Sequence, residues 1–187
     1  MATEPPQSAQ KSRFEVLALP HLDAAFNLAR WLAGNPADAE DIVQDAYLRA
    51  YRYFNTYRGD NIRVWLLAIV RTSFLTWLKQ NRSPRLVFVA EEPAGADEET
   101  AWSEAPGNPE TFLLKRLDGA ALTRLVADLP REHREVLILR EIEDLSYRDI
   151  AAITEVPIGT VMSRLGRARA RLRQAWLAEG REDHNAL

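Results

Sequence analysis

None of the 187 residues is a cysteine, which removes thiolate nucleophiles, disulfides, zinc–thiolate sites and iron–sulfur clusters from this chain. Long apolar runs are also missing: a stretch such as Val64–Val70 is far too short to cross a bilayer. Met1–Gln10 is polar and carries two prolines, so it does not read as a signal peptide. Only three histidines occur, His21, His133 and His184, too far apart for a metal-ligand spacing. No glycine-rich phosphate loop and no recognisable acid–base pair of carboxylates appears. These absences argue against an enzyme, a metal or cofactor site and direct membrane insertion. They leave a cytoplasmic protein of one domain or two small ones.

The net charge of −3 conceals an uneven distribution. Between Pro84 and Pro109, acids at Glu91, Glu92, Asp97, Glu98, Glu99 and Glu104 stand among prolines and glycines, with little to build a core. This reads as a mobile acidic linker over 85–109, with Arg85–Ala90 (RLVFVA) open to being a short docked strand. The flanking segments read as helical. The expected architecture is therefore all-α: small domains at 14–84 and 110–178 joined by that linker.

In the C-terminal domain, Ile158–Arg173 carries five arginines and no acid, a local excess that suits a polyanion or a solvated helix face. A helix from Arg131 to Glu143 precedes it. Ser146 then opens a short helix, with Asp149 three residues on as a capping-box variant. Val156–Thr160 turns the chain into the last helix. At about 100° per residue, Val161, Leu165, Ala168 and Leu172 form one stripe. Arg164, Arg167 and Arg171 flank it on one side, Arg169 and Arg173 on the other, with Ser163, Gly166 and Ala170 facing outward. This predicts a helix-turn-helix whose second helix enters the major groove by its N-terminus. Thr160, Ser163 and Arg164 stand where base edges are reached, and Arg167, Arg169 and Arg171 where phosphates are clamped.

In the N-terminal domain, Asn35-Pro36-Ala37-Asp38 is a helix start. Ala39, Ile42, Val43, Ala46, Tyr47 and Ala50 follow at helical spacing, while Asp41, Gln44, Asp45, Leu48 and Arg52 form an opposite face that reads equally well as solvated. A turn-rich loop, Phe54–Asn61, leads into a helix over Ile62–Gln80, with Trp65, Leu66, Ile69 and Val70 as expected core. Aromatic rings interleaved with Arg58, Arg63, Arg71 and Lys79 suit either packing or stacking on unpaired bases.

Taken together, three blocks resemble the extracytoplasmic-function sigma factors of bacterial RNA polymerase: Gly34–Arg52, Tyr57–Arg82 and Leu129–Arg173. The resemblance implies a polymerase-facing surface at Asp41, Gln44, Asp45, Arg49 and Arg52. It implies a minus-ten surface at Tyr57, Arg58, Asp60, Asn61, Arg63, Thr72, Ser73, Thr76 and Lys79, where the Tyr57–Asn61 loop captures a flipped base. It also implies minus-thirty-five contacts at Thr160, Ser163, Arg164, Arg167, Arg169 and Arg171. Core polymerase, promoter DNA and an anti-sigma protein are the implied partners. Thr72 stands where the family commonly has asparagine and Thr76 where it commonly has aspartate, so promoter sequence does not transfer from a relative. Asp144 replaces a common helix-ending glycine, and aspartate tolerates the left-handed backbone better than most residues. A one-component regulator would instead show a ligand pocket and bind duplex without polymerase; a sigma-like decoy would only titrate an anti-sigma protein.

Overall fold

A computed structural model describes residues 7–59, 61–81 and 119–182. These residues are helical and contain no strand. The expected linker over 85–109, with Arg85–Ala90, lies outside the described residues, as do Asp60 and His184. No helix among the described residues is long and apolar enough to cross a membrane.

The N-terminal half contains α1 (Gln7–Ala18), α2 (Leu22–Ala33), α3 (Pro36–Tyr53) and α4 (Ile62–Asn81). Gly34 ends α2 in the left-handed conformation at φ 74°, and its N–H reaches the Arg30 carbonyl at 2.9 Å. A glycine adopts this cap without the steric cost a Cβ would bring. One residue later Asn35 starts α3: its side-chain oxygen accepts from the Ala37 N–H at 2.9 Å, with Pro36 in the first turn. Ala39, Ile42, Val43, Ala46 and Ala50 all face inward, as their spacing requires.

The C-terminal half contains α5 (Gly119–Ala127), α6 (Arg131–Glu141), α7 (Tyr147–Thr154) and α8 (Ile158–Glu182). Helix α6 stops two residues before the expected Glu143, because Asp144 turns left-handed at φ 48°. Ser146 caps α7: its Oγ accepts from the Asp149 N–H at 3.1 Å and donates to the Asp149 carboxylate at 2.7 Å. Glu155 takes the left-handed conformation at φ 57° and aims the chain into α8. The stripe Val161, Leu165, Ala168 and Leu172 is fully buried.

The two halves are packed on each other. Helix α4 lies against α3 on one side and α7 on another, and α2 lies against α6. One continuous apolar core contains Leu28, Ile42 and Val70 from the first half and Val136, Ile150 and Leu165 from the second. Leu67, outside the core expected from periodicity, is completely buried, whereas Trp65 and Ile69 keep partial exposure. A helix covered on several sides shows no single apolar stripe, so its sequence does not announce which face is interior.

Candidate nucleic-acid and polymerase interfaces

Helices α6, α7 and α8 build the helix-turn-helix. In its second helix, Thr160 is half-buried and Ser163 exposed, the Ser163 hydroxyl donating to the Thr160 carbonyl at 3.1 Å. Arg164 is half-buried, and Arg167 and Arg171 are exposed. The charges of these three guanidiniums are felt by His133, a buried imidazole on α6 whose Nδ1 has no hydrogen-bond partner. Burial, then the positive field of Arg171, Arg167 and Arg164, hold His133 below its ordinary value, with Glu132 opposing them. The row therefore concentrates positive potential on one face, as phosphate binding requires. Arg169 sits differently. Its Nη2 and Nε donate to Glu141 Oε1 at 2.6 and 3.2 Å, tying α8 to α6 with both side chains mostly buried.

The loop before α4 forms an aromatic shelf. Phe54 and Tyr57 stack with centroids 6.3 Å apart and planes 11° apart, and Trp65 lies 5.2 Å from Tyr57. Arg58 bends back, its Nη1 donating to the Asn55 and Tyr57 carbonyls at 2.5 and 3.1 Å. Asn61 starts α4 by accepting from the Val64 N–H at 3.2 Å. A methyl added at Gly59 would stand 3.3 Å from the Tyr57 ring, so glycine keeps that ring in place. Phe54 is itself buried at 4% exposure, so the half-buried Tyr57 and Trp65 are the rings of this cluster with a face left beside cations for an unstacked base.

Along α4, Thr72 and Lys79 are exposed and Thr76 is half-buried. The Thr72 and Thr76 hydroxyls donate to the carbonyls four residues earlier, Ala68 and Thr72, each at 2.9 Å. Ser73 is instead buried at 1% exposure, its hydroxyl without a partner. Arg63 is paired to Glu143 of the C-terminal half.

On α3, Asp41, Gln44 and Arg52 are exposed, and Asp45 pairs with Arg49 at 2.8 Å. Two features of this face were not among the site residues expected from sequence. Leu48 is 61% exposed in the middle of it, and an apolar residue on an otherwise polar face was the available signal. Beside it, a groove between α2 and α3 has Leu22, Phe26 and Val43 on its walls and Asp23, Glu40 and Asp41 at its rim.

The sequence pattern of sigma-70 region 2 matches residues 17–83, and that of sigma-70 region 4 matches residues 119–172. The chain is 32% identical to the RNA polymerase sigma-H factor of Pseudomonas aeruginosa, over 90% of its own length and 89% of that protein's. It is 37% identical to the ECF RNA polymerase sigma-E factor of Escherichia coli K12, over 71% and 70%. It is 34% identical to the ECF RNA polymerase sigma factor SigE of Mycolicibacterium smegmatis, covering 89% of this chain and 62% of that longer protein. Among solved structures, the sigma factor RpoE from Bartonella quintana, in complex with the anti-sigma factor NepR, matches with TM-score 0.65 and 28% identity, over 87% of this chain and 95% of that one. CnrH, in complex with the cytosolic domain of CnrY, shares the fold at TM-score 0.64 and 24% identity, over 92% of each chain. The chain belongs to the sigma-70 family, as an extracytoplasmic-function sigma factor. It is a promoter-directing transcription initiation factor.

Proposed function

We propose that residues 14–84 bind core RNA polymerase and read and open the minus-ten element, that 110–178 read the minus-thirty-five element, and that 85–109 connect them. Polymerase docks on the α3 face of Asp41, Gln44, Asp45, Arg49 and Arg52, with Leu48 supplying apolar contact. Tyr57, Arg58, Asp60 and Asn61 receive the flipped base, whose extrusion costs a few kcal/mol that stacking and pocket contacts must offset. Arg63, Thr72, Thr76 and Lys79 follow the melted strand, while Ser73, buried on the inner side of α4, is withdrawn from that surface. Thr160, Ser163 and Arg164 meet base edges in the minus-thirty-five duplex, with Arg167 and Arg171 on its phosphates, while Arg169, engaged by Glu141, braces α8 against α6 instead.

The observation that carries this reading is the pairing, in one chain, of the arginine face of α8 with the half-buried aromatic rings of Tyr57 and Trp65, which rest on Phe54. One surface suits duplex and the other unpaired bases. The nucleotidyl transfer belongs to polymerase, and the protein acts in the cytoplasm, where its promoters are. An anti-sigma protein that covers the polymerase-binding surface is the fitting regulator, and the Bartonella quintana relative is itself found in complex with an anti-sigma factor, NepR.

The test is association of the purified chain with core polymerase at moderate salt without DNA. Tight one-to-one binding, followed by initiation from a restricted promoter set, is the expected result. A chain that ignores core yet binds duplex alone would be a one-component regulator; one that binds neither would be a decoy.

A further inference from the structure

Two carboxylates of the C-terminal half, Glu135 and Glu143, are each 4% exposed. Both are met by arginines of α4: Arg71 Nε stands 2.7 Å from Glu135 Oε1, and Arg63 Nη2 stands 2.5 Å from Glu143 Oε2. Asn27 reaches the other oxygen of Glu143 at 3.5 Å. Carboxylates this deep require a cationic partner, because an unpaired buried charge is strongly unfavourable. The partners come from the helix that carries the proposed minus-ten surface.

The promoter geometry supplies a second, independent observation, which rests on the sigma-factor reading. Elements centred about 25 base pairs apart, at about 3.4 Å each, lie about 85 Å from each other. A compact chain of this length has a radius of gyration of about 16 Å. With α2 on α6 and α4 on α7, one chain cannot place its two readers on both elements.

We propose that Arg63 and Arg71 form a phosphate-binding pair that the chain masks with its own Glu143 and Glu135, and that opening of the two halves exchanges those carboxylates for the backbone of the melted promoter strand. Arg71 joins the DNA-contacting residues by this exchange. The two arginines lie eight residues apart, about 12 Å along the helix axis and about 80° around it, a separation that one strand passing along this side of α4 spans. Free protein is held closed and discriminates against DNA; polymerase, by separating the halves, uncovers the pair.

The absence of cysteine allows a direct test on the full chain. Dyes at the exposed positions Lys11→Cys and Gln174→Cys report separation of the halves by energy transfer. A twenty-nucleotide oligothymidylate reports phosphate binding without sequence preference. Glu143→Gln should lower transfer and tighten oligothymidylate binding at least fivefold. Asp144→Asn, which removes one charge at an exposed neighbour outside the interface, should change neither by more than twofold. Adding Arg71→Ala to Glu143→Gln should abolish the gain in binding. The charge swap Arg63→Glu with Glu143→Arg should restore high transfer, which shows that the variants fold. Unchanged transfer in Glu143→Gln would overturn the mask, and opening without tighter binding would overturn the exchange. Failure of the wild-type chain to bind core polymerase would remove the sigma reading on separate grounds, since the transfer measurement does not involve polymerase.

Discussion

Arg164 stands at the leading end of α8, half-buried, and its positive charge is felt by two carboxyl groups of α6. Against the effect of burial, hydrogen bonds and the neighbouring arginines hold Glu132 below its ordinary value, whereas burial pushes Glu135 up despite the arginines around it. A guanidinium held there is oriented before DNA arrives, which suits contact with a base edge. Arg164→Ala should therefore cost about 1–3 kcal/mol of discrimination at one base pair, seen as loss of transcription from promoters with an intact minus-thirty-five element. Unchanged transcription from them would remove Arg164 from the site. His133 tests the same field from beneath. Its folded value lies below the ordinary 6.5, so the unfolded chain binds the proton more readily. Its contribution to stability is complete above about pH 6.5 and is lost as pH falls through the lower folded value. His133→Leu should flatten that loss, read as urea midpoints at about pH 5.5 and pH 7.5; an unchanged slope would assign the pH dependence to other groups.

At the scale of elements, helix boundaries carry most of what local chemistry decides. Asn35 closes an open donor of α3 and Gly34 ends α2 immediately before it, so two residues set the corner between helices that frame the α2–α3 groove. Asn35→Ala should destabilise the chain by about 1 kcal/mol, measured by denaturant unfolding. It should also weaken core polymerase binding if the α3 face is the docking surface. The corner at Ser146 follows the same logic, and Asp144 adopts the left-handed backbone that its replacement of glycine implies. Glu155 adopts it too, although nothing in its residue type announces it: the close approach of α7 and α8 imposes the turn. Arg169 illustrates the opposite difficulty. Its position on the helical wheel matches a phosphate clamp, but Glu141 across the α6–α8 contact takes its guanidinium.

For the whole molecule, Arg134 is the clearest link between halves. Its Nη1 donates to the Trp31 carbonyl at 2.9 Å, near the C-terminal end of α2, where carbonyls lack helical partners and a cation is favoured. Its Nη2 donates to the Ala127 and Leu129 carbonyls at 2.6 and 3.0 Å. One planar fork thus holds the α5–α6 turn and caps a helix of the other half. Arg134→Lys keeps the charge but not the fork. It should cost about 2–4 kcal/mol and should separate a single unfolding transition into two, read by calorimetry; one sharp transition at an unchanged temperature would show that the apolar core alone couples the halves.

The sequence by itself determined the helical class, the caps at Asn35 and Ser146, and the inward stripes of α3 and α8. Each follows from neighbours within about four residues, the range over which capping and helical periodicity act. Two domains on a loose tether were the natural expectation. Only the tertiary structure decided that the halves share one core, that Leu67 and Ser73 are interior, and that Arg63 and Arg71 face carboxylates 80 and 64 residues away. An arginine on a helix face reads the same whether its partner is a phosphate, water or a distant glutamate. The choice among them is made by desolvation at a contact between elements far apart in the chain, and no local pattern of residue types encodes it.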